Sequence, residues 1–501
     1  MWMAVKRGIV VAIGLLIQIL LTLFIYLKFG EFISIIQVAY GLLSIIIVLM
    51  IIKYSKRLSS DLIWILLIML FPLIGTLLYI ILSNNMKRSK VLKNINENIE
   101  NGQKYLIQDE FIKKEIDTKN LGQLKYISEF AGFPVTKNNE INYYSLGDDV
   151  YPVMLEELKK AKKFIFIEYF IINNGTMWKE ILDILKEKAN SGLDVRVLYD
   201  DMGSFAMLPS NYPKLLEKYG IKCMQFNKLS PFAGIIMNNR DHRKMMIIDG
   251  HTAFSGGINI SDEYININSK LGVWKDNGIR IKGEAVWNFT VMFLEMWNSF
   301  KKEDNDYNKY KYNFTEKYKE NGFVVPYGES PLDDVITGED IYLNIINQAK
   351  KYVYIYTPYL IIDTDMINSL ILAARRGVDV RIVVPGIPDK KIVYDLTSSY
   401  FYTLIKGGVK IYTYTNGFVH SKVFLSDDEI ATVGTINLDY RSLYLHFECG
   451  IYMKDTNVIK DIKKDFEDSF KESHKVDEKE AKNGLFKGLW QAILRLFAPM
   501  M

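Results

Sequence analysis

Cysteine is almost missing from this chain: there are two, Cys223 and Cys449, in 501 residues. They are far apart in segments that read as buried and have no metal or redox spacing around them, which argues against a structural disulfide or a thiolate cluster. Histidine is also sparse, at five. His242, Asp249 and His251 fall close together, but Arg243 and Lys244 among them would repel a dication, so no metal is expected. No Gly-x-Gly-x-x-Gly or Walker pattern occurs, and Gly256-Gly257 reads as a tight turn that places Asn259; no nucleotide cofactor follows. Positive charge is lacking where a nucleic-acid enzyme would carry it. Residues 1–90 hold nine Lys and Arg against Glu31 and Asp61, a balance of +7, which leaves −3 for the rest of the net +4. A nucleic-acid partner is not expected.

Apolar sequence is abundant: 49% of residues are hydrophobic and the mean hydropathy is +0.03, high for a soluble protein of this length. Three runs, at about 8–27, 32–52 and 62–82, have the roughly 20-residue length of a bilayer-crossing helix. The first is long for a cleaved signal and lacks a small-x-small exit, so residues 1–90 read as a retained multi-span anchor with Trp64 and Tyr79 near its interfaces. Pro72, near the middle of the third run, removes a backbone donor and predicts a kink or a turn back. With three crossings the positive-inside comparison ties. Lys6, Arg7, Lys53, Lys56 and Arg57 balance Lys28, Lys87, Arg88, Lys90 and Lys93, and a re-entrant third run would tip the count toward a cytoplasmic body.

Two stretches carry the chemistry. Arg240-Asp241-His242-Arg243-Lys244 leads to Asp249, and His420-Ser421-Lys422 leads to Asp427; both read His-x-Lys-x4-Asp, and in both an Asn, Asn259 or Asn437, follows the His by seventeen residues. Alternation in the runs puts His and Lys on one strand face. An imidazole can attack phosphorus and an ammonium beside it can hold phosphoryl oxygens. Asp249 and Asp427 sit at odd separations from their His and should face the other way. The surroundings repeat as well. Ala161-Lys162-Lys163-Phe164-Ile165-Phe166-Ile167 matches Ala349-Lys350-Lys351-Tyr352-Val353-Tyr354-Ile355, and the run from Gly192 to Val197 matches that from Gly377 to Ile382. Strand, helix and strand in each predict an α/β unit with parallel pairing, duplicated at a period near 180 residues.

This pair of motifs resembles the phospholipase D superfamily, whose two HKD motifs build one active site between two similar half-domains, and within it the bacterial cardiolipin synthases. The segments Asn437-Leu438-Asp439-Tyr440-Arg441-Ser442 and Thr357-Pro358-Tyr359 look like the synthase versions. The resemblance implies an α/β fold of two phospholipase D-type half-domains about a pseudo-two-fold axis, behind N-terminal transmembrane helices. It implies catalytic His242, Lys244, Asp249, His420, Lys422 and Asp427, phosphate-binding Asn259 and Asn437, and ring-orienting acids downstream of each His at Asp276 and Glu448. It further implies phosphatidyl transfer between two phosphatidylglycerol molecules in a cell membrane, through a phosphohistidine on His242 with His420 as the acid; the symmetric spacing itself does not choose between the two. A membrane phospholipase D or phosphodiesterase that hydrolyses lipid, and a non-catalytic membrane scaffold, are the alternatives.

The expected domains are an anchor (1–90), a polar linker (91–135), a first half (136–305), a connecting segment (306–328), a second half (329–480) and a C-terminal helix (484–501). In that helix Lys487, Gln491 and Arg495 recur every four residues among Leu485, Phe486, Leu489, Trp490, Ile493, Leu494 and Phe497. This amphipathic pattern predicts a helix lying on a bilayer with its basic face toward water.

Overall fold

The computed structural model describes residues 33–54, 58–83, 90–228, 239–318, 322–333 and 335–500. The expected first span, 8–27, lies outside them. The chain divides into two compact units, residues 1–92 and 93–501.

In the first unit the helix Ile33–Tyr54 is followed by Leu58–Leu70 and Pro72–Ser83. The third apolar run is therefore two helices, broken at the residue before Pro72. Trp64 and Tyr79 would stand about 22 Å apart along one straight helix, yet their rings meet edge to face with centroids 5.7 Å apart. The run turns back on itself. Gly75 permits the close approach, since a Cβ there would sit 2.5 Å from the Leu67 carbonyl oxygen. Ile51, Ile65 and Ile68 fill the inside of the bundle, while Leu49, Met69, Leu70 and Leu77 point outward. Side chains of the first helix are described from Val38, and among the described residues no helix is long and apolar enough to cross a membrane. A straight span over 62–82 is thus replaced by a hairpin.

The second unit holds two sheets of like order. In the first half these strands are β1 (Asn139–Tyr144), β2 (Phe164–Tyr169), β3 (Asp194–Asp200), β4 (Lys222–Phe226), β5 (Lys244–Ile248), β6 (Thr252–Gly256), β7 (Val273–Lys275) and β8 (Gly278–Gly283). The second half has β9 (Phe323–Glu329), β10 (Tyr352–Tyr356), β11 (Asp379–Pro385), β12 (Lys410–Tyr414), β13 (Gly417–Val419), β14 (Val423–Ser426), β15 (Ile430–Gly434), β16 (Glu448–Lys454) and β17 (Ser473–Lys475). The order β1-β8-β6-β5-β2-β3-β4 of one sheet is matched by β9-β16-β15-β14-β10-β11-β12 of the other, which adds β17 at its edge. β2–β3–β4 and β10–β11–β12 pair in parallel, as expected of strands joined through helices such as Thr176–Asn190 and Thr364–Arg375. The helix Val286–Phe300 is apolar on nearly all sides because it packs against β5, β6 and β8 of one sheet and β9 of the other.

Two boundaries differ from expectation. The second half starts at Phe323, because β9 pairs along its length with β16; the connecting segment ends before it. Residues 93–135 are folded onto the rest of the second unit, where the helix Glu110–Thr118 and the turns after it carry buried Ile116, Leu124 and Ile127. Trp287 Nε1 donates to the Tyr105 carbonyl at 2.8 Å, and Gln123 and Tyr126 bond to Asn344 and Asp340. The polarity of this segment reflects its solvent side, not a free tether.

Candidate active site

His242 and Lys244 enter β5 from its first end, and Asp249 leaves at the other. Asp249 adopts a left-handed backbone, φ 56°, and its carboxylate accepts from the amides of Lys162, Lys163 and Phe164 at 2.7–2.9 Å. Asp427, φ 57°, does the same for Lys350, Lys351 and Tyr352 at 2.7–2.8 Å. Both aspartates of the motif therefore tie one strand to the start of its neighbour. Neither belongs with the catalytic groups, which corrects their place in the expected set.

The two His-x-Lys segments are brought together by contacts between the halves. β13 runs parallel to β7, with Phe418 opposite Trp274 and Val419 opposite Lys275, and the His420 amide donates to the Lys275 carbonyl at 2.8 Å. The counterpart is a parallel bridge between Asp241 and Phe447, in which the His242 amide donates to the Phe447 carbonyl at 2.9 Å. Each His consequently lies beside the acidic segment of the other half. His242 Nδ1 is 2.9 Å from both Glu448 oxygens, and His420 Nδ1 is 2.6 Å from Asp276 Oδ2. The acid downstream of each His in sequence does not hold that His; the pairing is crossed.

The supports of the two acids differ. Thr435 and Ser442 hydroxyls donate to Glu448, with Ser442 placed by the Asp439 cap of the short helix Tyr440–Tyr444. Asp276 instead sits where a Cβ on Gly257 would be 1.9 Å from its Oδ1, so that position must be glycine. Tyr264, Trp274 and Phe418 pack around the His420 ring; Phe170 and His446 pack around that of His242.

Burial, and then the charges of Lys244, Lys422 and His420, hold His242 well below the usual imidazole range. Burial and Lys422 bring His420 down to about 4. Burial likewise lowers Lys244 to about 8 and Lys422 to about 7. Each ring is thus a neutral imidazole whose Nδ1–H donates to a carboxylate, so Nε2 carries the lone pair. Lys244 Nζ donates to the His242 carbonyl at 2.7 Å, and Lys422 to that of His420, its Nζ also standing 2.9 Å from His420 Nδ1; an ammonium has three donors, so each keeps at least one for a ligand.

The two asparagines are not equivalent. Asn259 accepts from the Ile171 amide at 3.1 Å and donates to the Tyr264 hydroxyl at 2.7 Å, which positions the ring beside His420. Asn437 Oδ1 is buried with no partner. His251, of the rejected metal cluster, bonds to Thr252 and Tyr318. Among the described residues His242, His446 and Glu448 form the one group of three acid or imidazole side chains whose ligand atoms lie within 4.8 Å of one another, but Glu448 already accepts from His242, Thr435 and Ser442, and Lys244 and Lys422 act on His242. That set suits a polar neutral group better than a cation. No motif position in the sequence assigns a role to His446, although it lies two residues before Glu448.

This crossed His–carboxylate geometry is where comparison with known proteins decides the family. The family described as cardiolipin synthase, PLD-like domain, matches residues 154–297 and 342–470, and phospholipase D-nuclease N-terminal matches 42–84. The chain belongs to the cardiolipin synthase family. Cardiolipin synthase 1 of Staphylococcus aureus is 35% identical over 436 residues, covering 82% of this chain and 85% of that one. Cardiolipin synthase 2 of Staphylococcus epidermidis is 33% identical and covers 94% and 98%. An uncharacterized protein of Streptococcus mutans is 47% identical over 80% and 87%. A crystal structure of phosphatidylserine synthase from Haemophilus influenzae aligns with a TM-score of 0.56 at 16% identity, covering 75% and 97%, and shares the fold. In this member of the cardiolipin synthase family the departures from symmetry, Thr435 against Gly257 and His446 against Trp274, fall around the His242 and His420 rings.

Proposed function

We infer that the chain is a phosphatidyltransferase that joins two phosphatidylglycerol molecules into cardiolipin and releases glycerol. One observation carries the reading: two buried imidazoles, one from each half, are each held through Nδ1 by a carboxylate of the other half, leaving both Nε2 atoms for a phosphodiester. His242 Nε2 attacks phosphorus, the phosphorus–glycerol bond breaks, and His420 gives the departing oxygen its proton. A hydroxyl of the second phosphatidylglycerol then returns a proton to His420 as its oxygen displaces His242. One phosphodiester replaces another, so no energy source is consumed. The negative phosphodiester between Lys244 and Lys422 offsets the positive charges that hold His420 neutral, and so raises its proton affinity when the acid is needed. Lys244, Lys422 and the side-chain N–H of Asn437 donate to the non-bridging oxygens.

Purified full-length protein in detergent with labelled phosphatidylglycerol and EDTA is expected to yield cardiolipin and glycerol in equal amounts without a nucleotide. Phosphatidic acid as the sole product would make the chain a hydrolase.

The bilayer is the second partner. The hairpin unit, apolar on its outside, is read as the membrane anchor, with the body on the cytoplasmic side. The C-terminal helix Leu485–Leu496 adds a docking face, with its apolar side outward as the sequence suggests but with part of its polar stripe against the protein rather than water. Gln491 donates to the Asp395 carbonyl and Ser398, both at 3.1 Å, and Arg495 to Ser399, so these two residues of the polar stripe are bound to the protein while Lys487 is exposed. Leu485 and Phe486 are 85% and 88% exposed, and Leu489, Trp490 and Ile493 continue outward beside Ile392 of the adjoining helix Lys391–Ser398. Exposed Lys390, Lys391 and Lys487 complement anionic headgroups. Phe486→Glu with Trp490→Glu is expected to cut transfer in lipid nanodiscs about 10-fold while short-chain phosphatidylglycerol in detergent reacts as before. Equal loss on both substrates would refute bilayer docking by this face.

A further inference from the structure

His446 is a buried imidazole whose two nitrogens both lack a hydrogen-bond partner. Its ring lies 5.6 Å from that of His242, centroid to centroid, tilted by 42°. Buried polar atoms are nearly always paired, so two orphaned nitrogens beside a reacting group call for an occupant. His446 does not orient the carboxylate next to it: Nδ1 stands 3.8 Å from Glu448 Oε1, beyond a hydrogen bond, and Glu448 already accepts from His242, Thr435 and Ser442. Its neighbour Phe447 packs away from it on Phe226 and Arg243, so the motif does not need a second polar residue for packing.

The chemistry of the occupant follows from the surroundings. Burial holds His446 at about 4, so at neutral pH the ring is uncharged. Glu448 on the Nδ1 side favours the tautomer with the proton there, which leaves Nε2 as an acceptor. A phosphoryl oxygen offers no hydrogen to such an atom. An ammonium would, but the charge of Arg441 acts on this ring and opposes a cation. A hydroxyl satisfies both conditions. The pseudo-symmetric residue, Trp274 beside His420, has only an N–H, itself unpartnered, so the two sides of the cleft are not interchangeable.

We propose that His446 is a headgroup-binding residue whose unpartnered imidazole accepts a hydrogen bond from a hydroxyl of the lipid's polyol headgroup, selecting hydroxyl-bearing headgroups over those without one. This rests on the phosphatidyl-transfer reading, and names the part of the site that recognises the glycerol. A site built to bond a substrate hydroxyl discriminates against the analogue lacking it, because its own polar atom is then left unpaired.

The test compares two donors, each carrying a labelled phosphatidyl group and each given the same excess of unlabelled phosphatidylglycerol as acceptor: phosphatidylglycerol, and phosphatidylpropanol, which keeps three carbons and lacks both free hydroxyls. Total phosphatidyl products, cardiolipin and phosphatidic acid, are counted, so discrimination is readable even if the protein proves to be a hydrolase. The wild type is expected to favour phosphatidylglycerol by about 100-fold in kcat/KM, His446→Phe to reduce that preference to a few-fold, mainly through KM for phosphatidylglycerol, and His446→Asn, which retains an acceptor, to restore most of it. Equal use of both donors by the wild type would overturn the proposal. So would an undiminished preference in His446→Phe, or a preference in His446→Asn no better than in His446→Phe when both melt at the wild-type temperature. Should the Phe variant not fold, the wild-type comparison and His446→Asn against His446→Leu decide the same question.

Discussion

Alanine at His242 is expected to lower phosphatidyl transfer by about 10^4-fold or more, because it removes the ring on which the covalent intermediate forms. His420→Ala is expected to cost about 10^2 to 10^4-fold, the range for removing a general acid–base. The two losses separate with a phosphatidyl ester of p-nitrophenol, whose leaving oxygen needs no proton. His420→Ala should then release close to one p-nitrophenol per protein and accumulate phosphohistidine on residue 242; His242→Ala should release none. A burst from His242→Ala and none from His420→Ala would exchange the roles of the rings.

The crossed pairing makes a second strong expectation. Glu448→Gln removes the charge that keeps the His242 proton on Nδ1, so it should slow the p-nitrophenol burst by about 10^3 to 10^4-fold, the scale of a wrong imidazole tautomer. Asp276→Asn should leave that burst nearly intact and block turnover after it, since it acts on His420. An acid serving the His of its own half would give the reverse: a burst sensitive to Asp276 and indifferent to Glu448. Rapid-quench kinetics on the two variants distinguish these outcomes directly.

The contrast between Asp249 and Asp276 shows which inferences local pattern supports. Asp249 faces away from His242 because seven residues separate them on a strand of period two, and its three amide bonds are what that orientation allows. Motif spacing alone would still have grouped it with the catalytic residues. Asp276 carries no comparable local clue to its partner: it sits 144 residues from His420, and what joins them is the pairing of β7 with β13 between halves. The same applies to the C-terminal helix, whose amphipathic stripe is plain in sequence. Which stripe faces the protein depended on Ser398, Ser399 and the Asp395 carbonyl being there to receive Gln491 and Arg495.

The order of residues by itself determined the duplicated α/β plan, the two His-x-Lys pairs and the break at Pro72, since each follows from short-range periodicity or from the missing donor of a proline. Tertiary structure decided which carboxylate holds which imidazole, that the third apolar run doubles back, and that His446 stands unpartnered beside His242. Those outcomes depend on contacts between segments remote along the chain, where packing and hydrogen-bond satisfaction are settled only once the two halves close on each other.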